Sequence, residues 1–370
     1  MTEKKEYHIK KIPLNAKGRG AQINPDKRFA KIQIEEDFEY LEHDEEAREA
    51  LRNVKTQYFV DTSRSILNDV NSFDVPFQKS INVYRGCAHG CSYCYARPYH
   101  EYLDLNAGLD FETKIFVKEN APNLLRDELA ANSWKPQIIM MSGVTDCYQP
   151  AEKHFELTRQ CLEVMLEARQ PVAIITKNSL VTRDIDILKE MAAHRLVSVA
   201  LSITSLDQTL IRQMEPRTSA PAARLRAIET LTENNIPAHV MVAPVVPGLT
   251  DSEIPTILKE ASKAGAVSAG YSILRLPLTV EPVFLEWLHR TQPSHAERIL
   301  SYIRATRAGE LSESALGKRM SGSGALAEQI KQAFQLFARK YNVNHKRIKL
   351  DTTNFRAPRP SSGQMWLFPR

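Results

Sequence analysis

SINVYRGCAHGCSYCYARPYH, residues 80–100, holds three of the chain's five cysteines: Cys87, Cys91 and Cys94, spaced C-x3-C-x2-C, with Tyr93 just before the last. Three thiolates on one loop can bind zinc or an iron–sulfur cluster. Structural zinc is closed by four ligands, commonly two C-x2-C-like pairs. A fourth donor here would have to be His89, in the same tight loop, or a remote residue. A [4Fe-4S] cluster needs a ligand for each iron, so three cysteines leave one iron open to a substrate or cofactor.

Around this loop the composition is that of a soluble globular chain. Its 370 residues, 43% hydrophobic and 25% charged, suffice for one large α/β domain with extensions or for two smaller domains. The N-terminal MTEKKEYHIKK has lysines but no apolar core, and the apolar stretch His239 to Leu249 is broken by Pro244 and Pro247. These features predict a cytoplasmic protein without a membrane span. An odd number of cysteines, three of them crowded together, argues against secreted disulfides and fits a reducing compartment.

Charge is uneven. Residues 1–31 carry nine Lys/Arg and three acids, net +6, and residues 339–370 carry eight and one, net +7. Against a total of +5, these ends leave −8 for the middle. Basic ends on an acidic body suggest a polyanionic partner such as nucleic acid, or simply two solvated tails.

From Ile81 onward strand-like and helix-like segments alternate. Ile81–Arg85, Ile138–Met141, Val172–Thr176, Val197–Leu201, Ala238–Ala243 and Tyr271–Leu274 are short apolar runs of strand length. Between them the periodicity predicts helices over Ala151–Ala168, Val181–His194, Pro221–Asn234 and Ser252–Ala264, the last with Asp251 as N-cap and Gly265 as C-cap. Six strands in βα alternation imply a parallel sheet wound as a partial (β/α)6 TIM-like barrel, with chemistry at the C-terminal strand ends. The expected organisation is an N-terminal arm and surface helix (1–60, the helix over Asp37–Asn53), the barrel (61–280), a C-terminal helical extension (281–345, helices over Pro293–Arg307 and Ala325–Lys340) and a basic tail (346–370).

The cysteine array, with an aromatic before its third member and a βα barrel behind it, resembles the radical S-adenosylmethionine (SAM) superfamily. That resemblance implies a [4Fe-4S] cluster held by Cys87, Cys91 and Cys94, with SAM on the open iron. Reduction of the cluster then cleaves the SAM sulfonium to a 5′-deoxyadenosyl radical that takes hydrogen from a substrate. By the same resemblance Tyr93 lies near the adenine. SAM-binding candidates follow the strands: Ser142, Thr145 and Asp146 after the second, Thr176-Lys177 after the third, Ser202 and Thr204 at the fourth, then Glu215 and Arg217.

Within the superfamily the chain is similar to the spore photoproduct lyase group, and more closely to an uncharacterised bacterial subgroup. The similarity rests on Tyr84-Arg85-Gly86-Cys87, Cys94-Tyr95-Ala96-Arg97, Thr145-Asp146, Thr176-Lys177 and Glu215-Pro216. It implies DNA repair or a related lyase-like modification, with Thr145, Lys177 and Ser202 contacting SAM and a flavodoxin or ferredoxin as reductant. The lyases carry a hydrogen-donating cysteine just before the strand-two Asp. Here Ser142-Gly143-Val144 fills that place and Cys147 follows Asp146, either as a displaced donor or as a packed thiol. In the tail, Arg356 and Arg359 with Phe355, Trp366 and Phe368 suit single-stranded nucleic acid. Gln364-Met365-Trp366-Leu367-Phe368 resembles the peptide by which bacterial repair proteins dock on the DNA sliding clamp. The competing readings are a radical SAM enzyme acting on a peptide or small metabolite, and a non-enzymatic nucleic-acid-binding protein with a structural metal.

Overall fold

The computed structural model describes residues 9–11, 16–29, 45, 49, 52–313, 315–344 and 348–363. Most of the expected surface helix over Asp37–Asn53, and all of Gln364–Phe368, lie outside them. Twelve strands are described: β1 (Ile9–Lys11), β2 (Ile23–Pro25), β3 (Gln57–Val60), β4 (Leu67–Asp69), β5 (Lys79–Ile81), β6 (Tyr84–Arg85), β7 (Lys114–Val117), β8 (Ile139–Met141), β9 (Val172–Thr176), β10 (Val197–Ser202), β11 (Ala238–Val245) and β12 (Ser268–Ile273).

The main sheet has the order β12-β11-β10-β9-β8-β5-β4. Strands β5, β8, β9, β10, β11 and β12 are parallel and lie side by side in chain order, with β4 antiparallel at one edge. Six parallel strands in sequential order, closed by no β12–β4 pairing, make the expected partial barrel. Its strands are buried in alternation, Ile139, Met141, Val172, Ile174, Val197, Val199, Ala238 and Val240 being almost wholly inaccessible. Helices Leu157–Glu167, Ile185–Ala193, Pro221–Glu233 and Ile254–Lys263 cover the sheet, each contributing an apolar stripe to one core.

Several local readings are corrected. The stretch Ile81–Arg85 is two strands in two sheets: β5 opens the barrel, whereas β6 pairs with β7 in a separate sheet of order β3-β7-β6. Asn82 divides them because its Oδ1 accepts from the backbone N–H groups of Val144 (2.8 Å) and Thr145 (3.2 Å). The helix expected over Ala151–Ala168 breaks at Glu156, which has φ 51°, into Glu152–Phe155 and Leu157–Glu167. Val181–His194 opens as a 3-10 turn, Ser179–Asp184, before Ile185–Ala193. Asp251 caps no helix, its Oδ1 accepting instead from Gly248 N–H at 2.7 Å. The helix expected over Pro293–Arg307 lies at Ala296–Ala305 and that over Ala325–Lys340 as expected, while a further helix, Val280–Thr291, precedes them.

The described part of the tail is bound to the body. Asp351 N–H donates to Arg195 O, Arg356 N–H to Ala168 O, and Phe355 packs on the core. Ala168 and Arg195 follow helices that lead into β9 and β10, so this contact lies at the N-terminal strand ends, opposite the cysteine loop. Phe355 is therefore a packing residue and not a free stacking platform. Among the described residues no helix is long and apolar enough to cross a membrane.

Candidate functional site

The cysteine loop leaves β6 through Gly86, whose φ of +78° suits glycine and whose added Cβ would meet two carbonyls at 3.0 Å. Backbone bonds hold it on several sides: Cys87 N–H to Phe111 O (2.9 Å), Ser92 N–H to Met214 O (3.0 Å), and Ala88 N–H to the Gln149 side chain (2.9 Å). Cys87 and Cys91 are buried, and Cys94 is partly exposed.

A buried ion pair missed by sequence reading fixes the loop. Arg97 directs all five N–H groups inward: two onto Cys91 O (3.1 and 2.8 Å), one each onto Ala107 O and Gly108 O (both 3.0 Å), and one onto Glu112 Oε1 (2.6 Å). Glu112 also accepts from Gly20 N–H (3.0 Å) and Ala21 N–H (2.8 Å), so the N-terminal segment is stitched over the loop. A Cβ on Gly20 would lie 1.8 Å from Gly90 O, a contact only glycine permits. Arg97 directly follows the cysteine run, the one sequence signal for its place.

The second tier lies at the strand ends. Asp146, between β8 and the following helix, accepts from Thr176 Oγ1 (2.6 Å), Lys177 N–H (2.8 Å) and Tyr148 N–H (2.9 Å), and faces His89 Nδ1 at 3.4 Å. Burial pulls the His89 imidazole down, but Asp146 and Cys87 outweigh it and hold the group up at about 10. Burial likewise pushes Asp146 up, and His89 with these donors brings it below the ordinary carboxylate value. Glu215 is completely enclosed. Burial alone would raise its carboxyl, yet Arg224 and Lys177, with the Thr204 and Tyr93 hydroxyls, hold it well below the usual range. Lys177 Nζ lies 3.3 Å from Glu215 Oε1, 3.2 Å from Thr204 Oγ1 and 2.9 Å from Ala243 O, and 5.6 Å from the centre of the Tyr93 ring. Tyr93 donates its hydroxyl to Glu215 and is itself buried.

A cavity of about 850 Å³ opens beside this loop. Tyr93, Thr145, Lys177 and Ser202 line it, so these candidates share one space. The other candidates are turned elsewhere. Ser142 Oγ accepts from Cys147 N–H at 2.7 Å, and Asp146 and Glu215 bind within the protein as above. Arg217 donates from Nε to Gly18 O at 3.1 Å, holding the N-terminal segment. Cys147 is not on the cavity wall: it is 3% exposed in the main core, and burial pushes its thiol well up, as for a packed residue.

The donor set fits an iron–sulfur cluster. Burial first, and then the charge of Cys87, push the Cys94 thiol up to about 11 against the pull of Arg97, so as thiolates the cysteines call for a positive partner. Among the described residues no three His, Cys, Asp or Glu converge on a point able to hold one metal ion.

Comparison with known proteins agrees. A family model described as "Radical SAM superfamily" matches residues 81–261. The uncharacterised protein Rv2578c of Mycobacterium tuberculosis is 39% identical over 238 residues, 64% of this chain and 70% of that protein. The uncharacterised protein MJ0683 of Methanocaldococcus jannaschii is 34% identical over 185 residues, 50% of this chain and 67% of that one. Among solved structures, spore photoproduct lyase complexed with dinucleoside spore photoproduct shares the fold with TM-score 0.58 at 14% identity, over 78% of this chain and 80% of the other. A variant of that lyase with bound AdoMet and the same dinucleoside gives TM-score 0.57 at 15% identity, over 78% and 79%.

Proposed function

The chain belongs to the radical SAM superfamily and is a radical SAM enzyme; we propose that its substrate is nucleic acid, with DNA repair or a related modification as the outcome. The observation that supports this best is a buried three-cysteine loop beside a cavity walled by Tyr93, Thr145, Lys177 and Ser202, in a fold shared with an enzyme solved on a dinucleoside photoproduct. The superfamily's [4Fe-4S] cluster and SAM, when bound, supply a radical that abstracts hydrogen. Cys87, Cys91 and Cys94 would hold the cluster. Lys177 presents an ammonium for the SAM carboxylate, and Thr145 and Ser202 present hydroxyls across the cavity. Glu215 serves from behind, fixing Lys177 and Tyr93 together. The two basic ends, net +6 and +7, favour a polyanion over a peptide or metabolite.

Thymine-dimer lyase chemistry is not carried over, because Ser142-Gly143-Val144 stand in the sequence where the lyases carry their donor cysteine, and Cys147 lies in the core. With electrons from a flavodoxin or ferredoxin, formation of 5′-deoxyadenosine is expected to rise severalfold on adding damaged or undamaged DNA. No response to either would turn the reading to a peptide or metabolite substrate.

The clamp-like peptide Gln364–Phe368 follows Gly363 in the sequence, shortly after Ser361, which is bonded to Asp127. In a surface-binding assay the full chain is expected to bind the bacterial sliding clamp with micromolar affinity, as a single short peptide anchor allows. Equal binding by a chain ending at Gly363 would refute this partner.

A further inference from the structure

We propose that the outer part of the cavity is a phosphodiester-binding vestibule, where Lys118 and Arg275 take backbone phosphates while a base lies along Tyr99 and Tyr102; this rests on the nucleic-acid reading above. All four residues line the cavity.

Lys118 follows β7 and is 6% exposed, and among the described residues no carboxylate lies within ion-pair distance of it. The nearest acid in effect, Asp61, is already held by Arg85 at 2.6 Å and by Ser63 Oγ at 2.5 Å. Arg275 follows β12. Its guanidinium lies 4.6 Å over the ring of Tyr95, whose hydroxyl is anchored on Gly143 O at 2.5 Å, and it too lacks an ion-pair partner among the described residues. The acid near it, Asp74, is occupied by Arg319 at 2.5 Å and by Gly317 N–H at 2.6 Å. Asp69, also on the wall, is paired with Lys79 at 2.6 Å.

Four cations, Arg85, Lys118, Arg275 and Arg319, thus face three carboxylates, Asp61, Asp74 and Glu128, the last bound to the Ile66 and Leu67 N–H groups, so the cations stay in excess and neither Lys118 nor Arg275 has an ion-pair partner among the described residues. Burial disfavours both Lys118 and Arg275 in their charged forms. Cations left unpaired inside a protein wall are costly unless a ligand brings negative charge to them. Two separate cations call for a ligand with at least two anionic groups. The aromatic surface narrows the class further: Tyr99 is 55% and Tyr102 68% exposed, their rings 6.4 Å apart, and Phe29 extends the track at 5.3 Å from Tyr102. A dicarboxylate needs the cations but not the rings, whereas single-stranded nucleic acid uses both, by charge and stacking.

The test is fluorescence anisotropy of a labelled thymidine decamer with anaerobically reconstituted enzyme across a salt series. The paired substitution Lys118→Met and Arg275→Met is expected to weaken binding roughly tenfold at low salt and to flatten the log–log salt slope by about 1.4, at about 0.7 per phosphate contact. The pair Lys118→Arg and Arg275→Lys keeps the charges and is expected to keep the slope. Iron content and circular dichroism of each protein report its folding. Wild-type affinity and slope in the methionine variant would overturn the vestibule. Equal affinity for an abasic decamer would overturn the stacking role. Failure of the unaltered enzyme to bind the decamer would instead refute the nucleic-acid reading.

Discussion

Protein carrying Cys91→Ala is expected to fold, to fall from about four irons per chain to near zero after anaerobic reconstitution, and to form no 5′-deoxyadenosine. Each thiolate of the proposed trio would serve one iron, and neither of the other two cysteines is placed to substitute. Cys147 and Cys161 are fully enclosed in the main core. The loop should survive the change because its backbone is fixed independently of the thiols, by Arg97 on Cys91 O, Gln149 on Ala88 N–H and Met214 O on Ser92 N–H. Cys161→Ala is the matched control, expected to keep its iron at a stability cost of about 1 kcal/mol. Iron analysis, the visible absorption of the cluster and product chromatography read the outcome. SAM cleavage retained by Cys91→Ala would sink the assignment of the site.

The legible parts of the chain were those where one physical cause acts locally. Parallel strands with one face fully buried and the other half-buried read as short, mostly apolar runs, so Val172–Thr176 and Val197–Ser202 showed themselves in the sequence almost to the residue. Strands β3, β4 and β7, of three or four residues each, are too short for a period, and β3 is exposed throughout. Ile81–Arg85 alternates like one strand, yet Asn82 spends its side chain on the loop after β8, a partner 62 residues away that no local pattern encodes. The site divides in the same way. That polar residues gather at strand ends follows from the barrel. Which of them face the cavity does not, because internal partners do not sort them: Thr145 and Lys177 are bonded within the protein, as Ser142, Asp146, Glu215 and Arg217 are, and still line the wall. The Arg97–Glu112 pair depends on two segments meeting in space, and only the position of Arg97 after the cysteines pointed to it.

Glu215→Gln is expected to cost about 3–5 kcal/mol of stability, since it removes one member of a buried charge cluster and leaves Arg224 and Lys177 uncompensated. Shape is nearly conserved, so the loss comes from charge and not from a cavity. The pH dependence gives the signature. The folded carboxyl is held well below its unfolded value of about 4.3. The stability it contributes is therefore fully present above that unfolded value and is lost as pH falls toward the folded one. Wild type and variant should differ by a constant amount between about pH 6 and 8, and the gap should close below about pH 4.5. Because the same carboxylate aligns Lys177 and Tyr93, SAM affinity measured by equilibrium dialysis should also drop at least about tenfold while iron content stays near wild type. Urea unfolding across the pH range tests the first claim. A gap that does not narrow in acid would mean that Glu215 acts by shape alone. Unchanged SAM affinity would detach it from the ring of residues that Lys177 and Tyr93 present to the cavity.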